Sequence, residues 1–317
     1  MMNSLNEIAR FLTERDNFVI LTHQYPDGDT LGSAFALCRA LRKMGKRSRV
    51  IVNGVFSKKF QYLAAGMQEQ DFDYQTVITV DIASVSLLGE LKAEFENIVD
   101  VSIDHHAMNT SFAKMTYVDP KAAANTESIY KLIKILGVEI DREMANCIFT
   151  GLSTDTGCFK FTNVTPDTMR IAADLMELGC DSAEINRIMF DTKSMARIRM
   201  ERAVLNTLTT HCGDKIAIIN STLAMEKETG AEDADMDGIA AIPRQIEGVV
   251  IGITIKEKGE KHYRVSVRTL SGYNAASICS KFGGGGHHAA GGCSIDGEFD
   301  EVKEKILAAA KEELFGK

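Results

Sequence analysis

Short apolar runs alternate with stretches of helical periodicity through the first third of the chain. FVILTH (18–23), SRVIVN (48–53), TVITVD (76–81) and NIVDVSID (97–104) carry apolar residues on both faces and predict strands. Residues 30–44 space their apolar positions for a helix between the first two, and 84–96 form a further helical stretch before the fourth. Strands buried on both faces and linked through helices predict an α/β fold with a parallel sheet covered on each side. The leading MMNSLNEIARFLTERDN (1–17) has charges inside its apolar period, so it reads as an amphipathic helix and not as an export signal. From Asn125 to about Asn206 the pattern is mostly helical, with IYKLIKIL (129–136) its clearest stripe.

A second group of elements follows. SMARIRMERAVLNTL (194–208) is helical but thin in large apolar residues, as a connector would be. Strands are predicted at 216–220, 247–257 and 262–270, and helices at 236–246, 274–281 and 300–314. The expected organisation is a parallel-sheet domain over 1–190, a helical connector over 191–210, and a smaller α/β domain over 211–317. A length of 317 residues suits two domains.

Composition narrows the class. The chain is 45% hydrophobic and 25% charged, which excludes a fibrous or disordered protein. Its seven cysteines are odd in number and show no CxxC pair, so neither a disulfide framework nor a thiolate zinc site is indicated, and a reducing cytoplasm fits best. No run approaches the ~18 consecutive apolar residues of a membrane span. A formal charge of −8 argues against a polyanionic partner that needs many phosphate contacts.

Candidate chemistry gathers where predicted strands end. THQYPDGDTLGS (22–33) puts His23, Asp27 and Asp29 after the first strand, with Gly28 and Gly32 read as letting the backbone turn around a small centre. VITVD ends on Asp81, DVSIDHH ends on Asp104, His105 and His106, and FTGLSTDTG puts Asp155 after an apolar segment. In an open α/β sheet the carboxyl ends of strands are where ligands bind. Carboxylates there are costly unless paired or metal-bound. Imidazole and carboxylate donors without thiolates favour Mn²⁺, Fe²⁺, Co²⁺ or Mg²⁺ over a structural zinc. Six donors, His23, Asp27, Asp29, Asp81, His105 and Asp155, exceed one ordinary site. Shared carboxylates would let them hold two ions about 3.5–4 Å apart.

Downstream, KFGGGGHHAAGG contains G-x-G-x-x-A at 284–289, but a predicted helix and not a strand precedes it, so a dinucleotide fingerprint is not supported. Its glycines allow successive N–H groups to form an anion-binding concavity, with His287 adding a contact. Arg268, ending a strand in VSVRTL, is suited to grip phosphate bidentately.

The ordered set HQYPDGD, VD, DHH and STDTG, followed by GGGGHHAAGG, resembles the DHH phosphoesterases with a C-terminal DHHA1 domain, and within them the nanoRNase/pAp phosphatase branch. The resemblance covers nearly the whole chain, although Thr269 departs from the Ser that follows the family's arginine. It implies one ion on His23, Asp27, Asp81 and Asp155 and another on Asp29, Asp81, His105 and Asp155. Mn²⁺ would be the first choice, with Mg²⁺, Co²⁺ or Fe²⁺ as alternatives. His106 would polarise a phosphate oxygen and Asp104 would orient a histidine, so that Asp81, Asp104 and His106 are the catalytic set. Gly284, Gly285, Gly286, His287 and Arg268 would hold the substrate across an interdomain cleft. The implied activity is two-metal hydrolysis of oligoribonucleotides of a few residues, of linear dinucleotides such as pApA, or of 3′-phosphoadenosine 5′-phosphate (pAp). An exopolyphosphatase-like activity and a non-catalytic nucleotide or RNA sensor are the alternatives, and the presence of all six ligands favours catalysis over sensing. Partners reduce to a short phosphorylated nucleotide, with no long nucleic-acid track and no membrane, and a homodimer is left open. Two divalent ions would cancel the four charges of Asp27, Asp29, Asp81 and Asp155, so the sign at the site need not follow the sign of the chain.

Overall fold

In the computed structural model, which describes residues 2–236 and 238–316, the chain divides into two compact units, one running to Thr192 and the other starting at Lys193. The first unit is built on helix α1 (Leu5–Glu14), strand β1 (Phe18–Leu21), helix α2 (Gly28–Lys43), and strands β2 (Ser48–Ile51) and β3 (Thr76–Val80). The short helix α3 (Lys92–Phe95) and strands β4 (Val101–Asp104) and β5 (Met115–Val118) follow. Helices α4 (Asn125–Ile135), α5 (Arg142–Asp155), α6 (Pro166–Glu177) and α7 (Ser182–Asn186) complete it. The five strands are all parallel, in the order β2-β1-β3-β4-β5. Strand order reverses between β1 and β3, and the crevice outside the carboxyl ends at such a switch point is the natural ligand site of the architecture.

Alternation along the strands loads both faces. Phe18, Ile20, Ile78 and Val80 pack into a large core with α1, α2, α4 and α5, while Val19, Leu21 and Val77 meet Leu88, Phe95 and Val99 on the other face. The first face therefore carries the long helices and the second only short ones. The stretch 84–96 is not one α-helix. It is a 3₁₀ segment, Val85–Leu91, broken by Gly89 at φ 53°, and then α3. Gly28 and Gly32 are helical residues of α2 and make no turn. Gly32 lets α2 approach α5 closely, because a Cβ there would stand 2.3 Å from the Cys147 carbonyl oxygen. Strand β5, absent from the hydropathy pattern, is a half-buried edge of four residues.

The second unit contains α8 (Met195–Leu205), β6 (Thr209–His211), β7 (Ile216–Ser221), α9 (Leu223–Thr229), β8 (Ile251–Gly259) and β9 (His262–Thr269). Helix α10 (Ala275–Ser280), β10 (Gly285–His287), β11 (Ala290–Asp296) and α11 (Phe299–Phe315) complete it. Its mixed sheet runs β10-β11-β9-β8-β7-β6, with only β7 and β8 parallel. Ile251, Ile253, Ile255, Val265, Val267, Cys293 and Ile295 pack on one face against α10 and α11. On the other face Met200 and Val204 of α8 join Ile219 and Ile239 in a smaller core. The helix expected at 236–246 is replaced by 3₁₀ segments at Asp233–Met236 and Ile239–Gln245, with Gly238 at φ 77° and Pro243 opposing a continuous α-helix; Asp237 lies outside the described residues, as do Met1 and Lys317. Among the described residues no helix is long and apolar enough to cross a membrane.

Candidate metal centre and anion-binding row

The carboxyl ends of β1, β3 and β4 deliver the donors. His23 follows β1, and Asp27 caps α2, its Oδ1 accepting from the Asp29 and Thr30 N–H groups at 3.0 and 3.1 Å. Asp81 follows β3 in the left-handed region at φ 59°, a conformation that Asp tolerates better than most residues. Its N–H donates to the Ile103 carbonyl at 2.9 Å, which ties the residue to β4 beyond the end of β3. Asp104 ends β4, and His105 and His106 follow it.

Asp155 departs furthest from the strand-end pattern, because it is the last residue of helix α5. A helix C-terminus carries partial negative charge, so a carboxylate there is disfavoured unless a cation faces it. Burial, reinforced by the charges of Asp29 and Asp81, pushes the Asp155 carboxyl up to about 9.

Two imidazole–carboxylate groups result. His23 Nε2 lies 3.7 Å from Asp27 Oδ1 and 3.6 Å from Asp81 Oδ2. His105 Nε2 lies 3.7 Å from Asp29 Oδ2, 3.4 Å from Asp81 Oδ1 and 3.4 Å from Asp155 Oδ2. Asp81 thus belongs to both sets, whereas Asp155 groups with Asp29 and His105 only. Asp81 Oδ1 is buried without a hydrogen-bond partner. An orphaned carboxylate oxygen between imidazoles is costly as it stands and is what a divalent ion would satisfy. The donor set of hard oxygens and ring nitrogens fits such an ion.

The surroundings hold these donors in place. His105 Nδ1 lies 3.1 Å from the Ala122 carbonyl, which turns Nε2 toward the carboxylates. The buried Asp29 carboxylate accepts from the N–H groups of Asn125 and Thr126 at 2.5 and 2.9 Å, supplying the N-terminal cap that Ala124 cannot give α4. Asp104 Oδ1 accepts from His106 Nδ1 at 2.8 Å, and Asn109 Nδ2 donates to Asp104 Oδ2 at 2.6 Å. Asn109 is a residue that sequence reasoning missed, since nothing in its spacing marks it. The bond to Asp104 raises the His106 imidazole above its ordinary value, outweighing burial.

Proton occupancy follows from the crowding. Burial and the charge of Asp81 push the Asp29 carboxyl up to about 7. Burial opposes protonation of His23 and His105, yet the facing aspartates overcome it and raise both to about 10. A divalent ion must displace these protons. Mn²⁺ affinity is therefore expected to rise from pH 6 to pH 8, about tenfold per unit for each proton released. Calorimetric titration in two buffers of different ionisation enthalpy measures that release, and a pH-independent affinity would contradict it.

In the second unit the glycine run is not an open loop. Gly283 and Gly284 donate their N–H groups to the Ser280 and Cys279 carbonyls at the end of α10. Gly285–His287 then form the edge strand β10, paired antiparallel with β11. A Cβ at Gly284 would stand 2.3 Å from the Gly292 carbonyl oxygen, so close packing on β11 requires that glycine. The registers His287↔Ala290 and Ala290↔Arg268 place His287, Ala290 and Arg268 in one row across the sheet, on one face. Two strand spacings separate the arginine and histidine backbones, about 10 Å. Small Ala290 lies between them.

The family model for the DHH family, N-terminal domain, matches residues 17–152, and that for the DHHA1 domain matches residues 213–315. A bifunctional oligoribonuclease and PAP phosphatase NrnA of Thermus thermophilus is 33% identical over 305 residues, covering 93% of this chain and 89% of that one. The crystal structure of an exopolyphosphatase-related protein from Bacteroides fragilis superposes with a TM-score of 0.86 at 24% identity, covering 97% of this chain and 96% of that one. RecJ of Thermus thermophilus in complex with Mn²⁺ shares the fold at a TM-score of 0.59 and 16% identity, covering 98% of this chain and 55% of that one. The chain belongs to the DHH family, with that family's N-terminal domain in its first unit and a DHHA1 domain in its second.

Proposed function

We propose that the chain is a metal-dependent phosphoesterase that hydrolyses short phosphorylated nucleotides: oligoribonucleotides of a few residues, linear dinucleotides such as pApA, and pAp. The observation that carries this reading is the pair of imidazole–carboxylate groups sharing Asp81 at the sheet's switch point. It is joined by 33% identity to a bifunctional oligoribonuclease and PAP phosphatase over nearly the full chain. His23, Asp27 and Asp81 would hold one divalent ion; Asp29, His105 and Asp155, with Asp81, would hold another. Mn²⁺ is the ion proposed first, and Mg²⁺, Co²⁺ or Fe²⁺ could take its place. The bound ions supply Lewis-acid polarisation of the phosphate and a nucleophile from water at neutral pH.

The chain's own groups do the rest. His106, tied through Nδ1 to Asp104, keeps its other ring nitrogen for a phosphate oxygen and carries the proton that neutralises developing charge. Asn109 fixes Asp104, and Ala122 fixes the ring of His105. Arg268 and His287 hold an anionic group of the substrate with a rigid sheet beneath them, with the Gly284–Gly286 backbone as the floor of that strand edge.

A panel of pAp, pApA, longer RNA, polyphosphate and pyrophosphate under one Mn²⁺ condition tests the assignment. Preference for pAp and pApA is expected. Preference for polyphosphate would favour the exopolyphosphatase reading, and no hydrolysis of any substrate would favour the sensor.

A further inference from the structure

We infer that Arg244 is a third cation of the anion-binding row, and that Arg244 and Arg268 together grip a dianionic phosphomonoester on the substrate. This rests on the phosphoesterase reading and refines it. It follows from how the second sheet is covered. On the face turned away from α10 and α11, the 3₁₀ segment Ile239–Gln245 packs over β8, and Arg244 sits in it directly above Gly252. A Cβ on Gly252 would stand 2.7 Å from the Arg244 amide nitrogen and 3.2 Å from its Cα, so the missing side chain is what lets the arginine backbone down onto the strand.

The ladder partner of Gly252 on β9 is Arg268. Directly opposed residues point to one face of a sheet. The row therefore reads Arg244 over Gly252, then Arg268, Ala290 and His287. One strand residue further along β9 on this face is Ser266, opposite Gly292, and beyond it Arg264, whose guanidinium reaches to 3.3 Å from where a Gly292 Cβ would be.

Among the described residues no acid is paired with these cations. Among the described residues Arg244, Arg264 and Arg268 form no ion pair, and Arg268 makes only a hydrogen bond from Nη1 to the Val267 carbonyl at 3.1 Å. Burial, with the Arg244 charge beside it, holds the Arg268 guanidinium below its ordinary value. Cations close enough to disfavour one another's charge, with no carboxylate paired to them, are relieved by a bound anion. A phosphodiester offers one negative charge, whereas a phosphomonoester near neutral pH offers close to two and three oxygens for planar forks. The pair thus selects nucleotides that carry a terminal phosphomonoester besides the bond to be cleaved.

The test compares the unaltered full-length chain with R244Q and R244K. Relative kcat/KM for pApA over ApA is measured with Mn²⁺, and binding of AMP against adenosine is measured by calorimetry without metal. R244Q is expected to lose about tenfold or more of the pApA preference, through KM, and a similar factor of AMP affinity. R244K, which keeps the charge but not the fork, is expected to lose less. Circular dichroism and the unfolding midpoint separate a binding loss from misfolding. An R244Q chain that is folded and keeps both the pApA preference and the AMP affinity overturns the inference. An unaltered chain that binds AMP but hydrolyses neither pApA nor pAp would instead remove the phosphoesterase reading, and the AMP titration would still decide the role of Arg244.

Discussion

Replacing Asp81 by Asn is expected to lower hydrolysis of pApA and pAp by about a thousandfold or more while the chain keeps its fold. Asp81 is the one carboxylate that both imidazoles face, at 3.6 Å from His23 and 3.4 Å from His105. Neutralising it removes charge from both groups at once, so the loss should equal or exceed that of one electrostatic contact to a transition state, about 10²–10³. The fold should tolerate the change for a local reason. At φ 59° the backbone favours Asn as readily as Asp, and the N–H bond to Ile103 is unaffected. Removing a buried carboxylate from among Asp29 and Asp155 also relieves repulsion in the metal-free chain. Steady-state kinetics with circular dichroism and bound-metal analysis make the measurement. A folded D81N chain retaining a tenth of the activity would place the chemistry elsewhere.

Replacing Asp104 by Asn is expected to reduce kcat by about ten- to a hundredfold, the usual cost of removing a group that orients a catalytic imidazole. The pH profile carries the sharper signature. The Asp104 bond raises His106, so the protonated imidazole persists to higher pH in the folded chain. If that protonated form is the working one, activity is present below the raised value and is lost as pH rises through it. Without the Asp104 charge the value falls, and the alkaline limb moves to lower pH. A reduced kcat with an unmoved alkaline limb would assign Asp104 a purely structural role, consistent with its bonds to Asn109 and to the His105 and His106 N–H groups.

Much of this centre is legible in the chain because strand ends and chemistry coincide. An apolar run that stops at His23, Asp81 or Asp104 announces both the strand and the side chain at its carboxyl end. Asp155 is less legible, since an apolar segment of that length does not say strand or helix, and it proved to end α5. Two features lie beyond local pattern. Strand β10 consists of Gly285, Gly286 and His287, whose composition reads as loop, and only pairing with β11 makes it a strand. The row joining His287, Ala290, Arg268 and Gly252 depends on register, which the turns set and no periodicity records. Arg244 is hidden for the same reason. Its position is visible only once Gly252 is known to lie beneath it. Asn109 and the backbone caps on Asp29 are likewise tertiary contacts without a spacing of their own.

In the proposed function, two divalent ions gathered by one shared aspartate make this chain a hydrolase of short phosphorylated nucleotides. Hydrolysis of pApA by the metal-stripped full-length chain, followed as Mn²⁺ is titrated with bound metal counted in parallel, tests it most directly. No turnover is expected without metal, and activity is expected to reach its plateau at two bound ions per chain. Full turnover in the stripped chain, or a plateau with no stoichiometric metal bound, would contradict it.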